Sequence, residues 1–298
     1  MSEPAPATDP EGVAAARARA RAHAQAGRQV RLEWGPTGGA AISADADIAV
    51  VVDVLSFTTT LTIATARGTR VHPFAWKDER AAAYARERDA VLAVGRFEAR
   101  ELGHGHGGGR GRGGGHGGAA PPSLSPAQLL DAVPVPRLVL PSPNGSSICA
   151  ALAGAGTRTG LGPQVVGASL RNRTAVARWL APRIAAGARV ALVPAGERWP
   201  DGSLRPAVED LWGAGAVLDG LATEGADPDA GRWSAEARQA RAAYRAAAMG
   251  AGLEAALLDC ASGRELVAVG FRADVLAAAA LDADDVVPLL GGDGFTAA

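Results

Sequence analysis

Apolar positions along the chain fall into two alternating patterns, strand-length runs and segments of helical period. Residues 48–53, Ile-Ala-Val-Val-Val-Asp, are apolar up to the closing carboxylate. An unbroken run of that length marks a strand covered on both faces. A short helix of small side chains is expected over 58–66, ended by Gly68, then a strand at 69–75, a charged helix at 77–88 and a strand at 90–95. Further strands are expected at 137–140, 164–167, 189–193 and 286–290. In 147–155, Ile148, Ala151, Leu152 and Ala155 recur at i, i+3, i+4 and i+7, which is one face of a helix. Residues 173–186 align Val176, Trp179, Leu180 and Ile184, with a bend expected at Pro182. Residues 209–221 turn Leu211, Ala214, Leu218 and Leu221 inward, and helices at 235–249, 263–269 and 273–280 follow. Buried strands alternating with helices define an α/β protein with helices on both faces of the sheet. Crossovers of this kind are right-handed, so parallel neighbours are expected.

Two stretches stand outside this alternation. Residues 1–28 are Ala/Arg-rich and are expected to be a flexible segment, helical from Glu11 onward with a frayed start. Folded sequence is expected to begin near 32–34, within a single domain over 29–298. Residues 103–118 hold 11 of the chain's 39 glycines, with His104, His106 and His116 among them. Gly103-x-Gly105-x-x-Gly108 matches the dinucleotide-binding fingerprint formally, but composition forces the match and no helix is expected to open after it. The histidines could take a metal adventitiously. The block, 103–120 with its flank, is expected to be a disordered, exposed insertion.

Composition then narrows the classes. The 298 residues carry 30 basic and 31 acidic side chains, a formal charge of −1. A nucleic-acid binder normally presents a basic field to the phosphates, so near-neutrality argues against one. The 48% hydrophobic content is too high for general disorder. Lys77 is the only lysine and follows Trp76, so the Gly-Lys pair of a Walker A loop is absent. Cys149 and Cys260 are too few for a disulfide framework or a four-thiolate zinc site. The chain opens without an apolar h-region, and Glu3, Asp9 and Glu11 oppose a transit peptide. No run approaches the ~18 apolar residues that span a bilayer. These features lead to the expectation of a soluble, cytoplasmic protein that engages neither membrane nor nucleic acid.

Ligands of open α/β sheets bind beyond the carboxyl ends of the strands, so the polar residues there are the candidates for chemistry. Four junctions stand out: Asp53 with Ser56 and Thr58–Thr60; Ser142, Asn144, Gly145, Ser146 and Ser147; Ser169, Arg171 and Asn172; and Glu197 with Glu209 and Asp210 opening the next helix. Hydroxyls and free amides at a helix N-terminus form a site for an anion. Arg171 adds a cation suited to phosphate, sulfonate or carboxylate. Carboxylates beside a phosphate site suit Mg²⁺. Each element also has a structural reading. Thr58–Thr60 and Ser146–Ser147 cap helices, Glu209 and Asp210 favour a helix dipole, Arg171 makes an ion pair, and Asn144-Gly145 is a turn pair. Asp53 resists this, because it ends a fully apolar strand where an unpaired carboxylate is costly. The Gly-x-Ser-x-Gly and His-Glu-x-x-His motifs are absent.

Taken in order, 51–60 (Val-Val-Asp-Val-Leu-Ser-Phe-Thr-Thr-Thr), Asn144-Gly145-Ser146, 193–197 (Val-Pro-Ala-Gly-Glu), 209–215 (Glu-Asp-Leu-Trp-Gly-Ala-Gly), 262–266 and 282–288 resemble the 2-phosphosulfolactate phosphatase family over about residues 45–290. The resemblance implies a three-layer α/β/α fold with a mostly parallel or mixed sheet and two similar, intertwined halves. It implies a Mg²⁺-dependent acid phosphatase that converts (2R)-phospho-3-sulfolactate to 3-sulfolactate and phosphate, in coenzyme M biosynthesis. On that reading Asp53, Glu209 and Asp210 hold Mg²⁺ or orient water, with Asp53, Glu197 and Asp210 as the catalytic carboxylates. Thr58, Thr59, Asn144, Gly145 and Ser146 cradle the phosphate, and Arg171 and Asn172 hold the second anionic group. Two features depart from the family: Ser56 stands where it usually has Arg, and its Gly-Asn-Ser-Pro block is absent before the Asn-Gly turn. They leave open a different phospho-acid substrate or a non-catalytic anion-binding homologue. A homodimer is also an open option.

Overall fold

The computed structural model describes residues 10–75, 79–104, 122–154 and 162–298. Residues 1–9, Lys77, and positions 105–121 of the Gly/His/Arg block, with His106 and His116, lie outside the described residues.

Among the described residues there are strands β1 (Val30–Leu32), β2 (Ile48–Val52), β3 (Arg70–Phe74), β4 (Val91–Leu92), β5 (Arg137–Pro141), β6 (Gln164–Ala168), β7 (Val190–Pro194), β8 (Glu197–Arg198), β9 (Leu204–Arg205), β10 (Pro288–Gly291) and β11 (Gly294–Ala297). Nine of them make one sheet in the order β1-β7-β2-β6-β10-β11-β3-β5-β4, while β8 and β9 form a separate hairpin. β1, β7, β2 and β6 run parallel, and so do β3, β5 and β4. The antiparallel β10–β11 hairpin joins the two sets. The chain enters the first set, builds the second, and returns to the first with β6 and β7, so the two halves are intertwined.

β2 shows why the sequence forms this sheet. Val50 lies between Val166 of β6 and Leu192 of β7. Ile48, Val50 and Val52 pack into one core, and Ala49 and Val51 into the other. The alternation of strand side chains therefore fills both faces, as the unbroken apolar run requires. Helices Arg173–Ala185, Val208–Thr223 and Ala235–Met249 lie on the first face. Gly35–Ser43, Phe57–Ala66 and Gly145–Gly154 lie on the second, completing three layers. Each fully buried Val side chain contributes about 1.5–3 kcal/mol to the layered core.

Several elements depart from the pattern reading. The edge strand β1 starts order ahead of residue 32 and pairs with Val190–Leu192. Helix Gly35–Ser43 contains Gly38 and Gly39, poor helix formers by propensity. Packing overrides that cost, since a Cβ on Gly39 would come within 2.7 Å of Val193 Cγ1. Helices Arg96–His104, Pro126–Asp131 and Leu253–Asp259 were not expected either. Pro10–His23 is helical, as expected from Glu11 onward. Pro182 sits inside helix Arg173–Ala185 without ending it. No helix among the described residues is long and apolar enough to cross a membrane.

The helix after β5 brings the site together. Five strand steps separate β2 from β5, and Gly145–Gly154 packs against β3, β2 and β6. Its first turn thereby meets the end of β2, where Gly145 N–H donates to Asp53.

Candidate active site

Asp53 is the first polar side chain after the apolar β2 and is buried. Its local turn is closed by Thr58: the Asp53 N–H donates to Thr58 Oγ1 (2.8 Å), and that hydroxyl donates to Asp53 O (2.8 Å). The carboxylate lies between two helix starts. Phe57 N–H donates to Oδ1 at 3.0 Å and Gly145 N–H to Oδ2 at 2.9 Å. Both donors are first-turn amides, where the helix dipole favours an anion. Gly145 is required by close approach, because a Cβ there would stand 2.7 Å from Asp53 Oδ2 and 2.5 Å from Phe57 Cδ1. Burial pushes the Asp53 carboxyl above its ordinary range; the two N–H groups and Arg96 pull it back, and Glu209 adds to the rise.

Asp53 opens onto a cavity of about 170 Å³ whose walls include Ser56, Arg96, Ser142, Asn144 and Glu197. Arg96 is the one cation in that lining among the described residues. Its Nε donates to Asp274 Oδ2 at 2.8 Å, and its Nη2 donates to Ser56 Oγ. Asp274 is itself held by the Ser125 hydroxyl and by Ala127 N–H (3.2 Å), so the guanidinium is braced from the buried side. Glu197 accepts from Asn144 Nδ2 at 2.8 Å. Burial and the nearby Asp53 charge raise its carboxyl to about 7, against the lowering effect of Asn144.

The expected residues therefore divide. Asp53, Asn144 and Glu197 share one cavity, and Gly145 buttresses it. Glu209 and Asp210 do not line it. Asp210 accepts Val54 N–H (2.7 Å) on one oxygen and Gly196 N–H (2.9 Å) on the other, tying together the turns that carry Asp53 and Glu197. Burial, with the charges of Asp53 and Glu209, pushes Asp210 well above the usual range. Glu209 is buried beside Cys260. The hydroxyls of Thr58, Thr59 and Ser146 are spent on main-chain carbonyls, on Asp53 O, on Val54 O, and on Phe74 O and Ser142 O. They brace the turns and do not face a ligand. The cradle of helix starts that the sequence offers to a phosphate is occupied by the chain's own Asp53.

Arg171 and Asn172 are also placed apart from the cavity. Arg171 is 5% exposed, pairs with Asp284 at 2.6 Å and donates to Ala277 O at 2.8 Å. Asn172 Nδ2 donates to Val286 O at 3.0 Å. Both fasten the C-terminal segment to the turn after β6. They were expected to hold a second anion because they follow a strand, but the tail supplies their partners.

Arg96, a cation in the cavity lining, was not among the expected site residues. It directly follows the strand expected over 90–95, which was a signal that could have found it; the observed β4 is shorter, and Arg96 opens helix Arg96–His104. As for a metal, no group of three or more His, Cys, Asp or Glu among the described residues is placed to hold one. Asp53, Glu209 and Asp210 thus do not form the expected ligand set, because only Asp53 of the three lines the cavity. A single carboxylate with substrate oxygens and water is still a donor set that Mg²⁺ commonly takes, and Asp53 offers that carboxylate at the cavity wall.

An α/β fold with a strand-end carboxylate, a braced guanidinium and an acid of raised pKa around one small cavity has the make-up of an enzyme active site. Residues 40–293 match the model described as 2-phosphosulpholactate phosphatase, and the chain belongs to that family. It is a phosphoric monoester hydrolase. No curated protein matches the chain.

Proposed function

We propose that the protein hydrolyses the phosphate monoester of a small anionic hydroxy acid, with (2R)-phospho-3-sulfolactate as the substrate and Mg²⁺ as the cofactor, a step of coenzyme M biosynthesis. The observation that carries this reading is that Asp53, Arg96 and Glu197 line one cavity. The phosphoryl oxygens meet the Arg96 guanidinium, whose planar fork suits them. Asp274 fixes the direction of that fork from behind. Asp53 orients the attacking water and accepts its proton, a role that its raised proton affinity favours. As the new O–P bond forms, the ester O–P bond breaks, and neutral Glu197 gives its proton to the leaving oxygen. Asn144 holds one Glu197 oxygen and so leaves the other for that proton. The products are the alcohol and phosphate; Asp53 then releases its proton to solvent and Glu197 takes one up, which restores both groups. Mg²⁺, when bound, would neutralise charge on the phosphoryl oxygens, with Asp53 as the residue to hold it.

The test is a panel of phosphorylated hydroxy acids, phosphosulfolactate included, assayed for phosphate release with Mg²⁺ and after chelation. Release from phosphosulfolactate that falls on chelation supports the full reading. Release that chelation does not touch removes Mg²⁺ from it. No release from any member of the panel removes the reaction.

A further inference from the structure

A second cavity, of about 280 Å³, lies against the first. Its walls come from the start of helix Gly35–Ser43 (Trp34, Pro36 and Thr37) and from the β8–β9 hairpin (Arg198, Ser203 and Leu204). It shares two residues with the first cavity, Asn144 and Glu197. The hydrogen-bonded pair is thus a common wall between the two spaces. The chemistry of the two spaces differs. The first holds the braced Arg96; the second joins the apolar Trp34, Pro36 and Leu204 to one guanidinium, Arg198. That guanidinium makes two long bonds to carbonyls, Gly202 O at 3.3 Å and Pro143 O at 3.4 Å. Among the described residues it has no carboxylate partner.

We propose that the second cavity receives the alcohol part of the ester, and that Arg198 selects alcohols carrying a second anionic group, a carboxylate or sulfonate. The inference rests on the phosphatase reading above. A general acid must reach the oxygen bridging phosphorus and carbon, so it belongs between the phosphate space and the leaving-group space. Glu197 is there. Trp34 and Leu204 cover the carbon skeleton, and Arg198 exchanges its long carbonyl bonds for charge-assisted ones to the anion. The small size of both cavities, under the roughly 300–1,000 Å³ of drug-sized sites, limits the substrate to a few carbons.

The test uses two esters that differ by one carboxylate, 2-phospholactate and isopropyl phosphate, with inorganic phosphate as an inhibitor that reports the first cavity alone. The unmodified chain is expected to prefer phospholactate in kcat/KM. Arg198→Ala is expected to lose about 10-fold or more of that preference, in line with a charge-assisted bond of roughly 1.5–3 kcal/mol. Thr37→Trp, which adds bulk at the wall, is expected to raise KM for phospholactate with a smaller change in the phosphate inhibition constant. If Arg198→Ala lowers kcat/KM for both esters alike, or Thr37→Trp leaves KM unchanged, the second cavity is not the alcohol site. If the unmodified chain releases phosphate from neither ester nor from phosphosulfolactate, the phosphatase reading falls and this inference with it.

Discussion

Gly145 N–H donates to Asp53 Oδ2 at 2.9 Å, across 92 residues of chain. The bond joins the start of a helix in one half of the sheet to the strand end of the other. Its length depends on the missing Cβ, which would fall 2.7 Å from the same oxygen. Gly145→Ala is therefore expected to lower stability by about 1–3 kcal/mol, the usual cost of overpacking. It is also expected to reduce kcat by displacing the carboxylate. Thermal melting and steady-state kinetics check both; full activity at unchanged Tm would show that the contact relaxes freely.

Arg96 and Asp274 are expected to act as one unit. Arg96→Ala removes the cation facing the phosphate, with an expected loss of about 10²–10³ in kcat/KM, as for a lost transition-state donor. Asp274→Asn keeps the guanidinium but weakens its brace, so a smaller loss is expected, together with a raised phosphate inhibition constant. In a double-mutant cycle the two effects should fall short of additivity. Additive effects would place Asp274 outside the Arg96 arrangement.

Glu197 gives the pH dependence its sign. Its carboxyl is raised to about 7 in the folded chain, against an ordinary 4.5. The folded state then binds more protons than the unfolded state between those values, so stability falls as pH rises from about 4.5 to 7 and levels off above. Glu197→Gln should flatten that slope, which is worth up to about 3 kcal/mol at 1.36 kcal/mol per unit. Activity should likewise fall as pH rises through about 7, since the proton is needed by the leaving oxygen. A pH–rate profile with unchanged activity to pH 9 would remove Glu197 from the acid role.

Two buried charged residues outside the cavity should be separable from catalysis in different ways. Arg171→Ala breaks the pair with Asp284, and a loss of about 3–5 kcal/mol is expected for a buried pair left with one partner. KM for the phosphate ester should hold in the fraction that folds. Asp210→Asn instead leaves one of the Val54 and Gly196 amides facing an amide NH₂, at about 1–3 kcal/mol. Because those amides belong to the turns carrying Asp53 and Glu197, kcat should fall as well. Chemical denaturation and kinetics on both variants distinguish the two roles.

How much of this was legible in the sequence differs element by element. β2 and its closing Asp53 were readable because a strand buried on both faces leaves an unbroken apolar run and then a single carboxylate. Asn144, Gly145 and Glu197 were readable as polar residues at strand ends, Asn144 and Gly145 after β5 and Glu197 after β7. Helix Gly35–Ser43 was not, since its Gly39 answers to Val193 and its Gly38 to Glu33, and not to helix propensity. The placing of β10–β11 in the middle of the sheet was also hidden, because strand order follows from long-range pairing. Arg171 misled for a related reason: a strand-end cation looks the same whether its partner is a substrate or the distant Asp284. Asp53 itself occupies the helix starts that seemed built for phosphate, and only the three-dimensional arrangement shows this.

The most direct test compares phosphate release from (2R)-phospho-3-sulfolactate by the unmodified chain and by Asp53→Asn, in the presence of Mg²⁺. Circular dichroism establishes that the variant is folded. The expected result is turnover by the unmodified chain and a loss of at least about 10²-fold in kcat for Asp53→Asn, the scale of a lost general base. Turnover by a folded Asp53→Asn at the unmodified rate would contradict the central role given to this carboxylate.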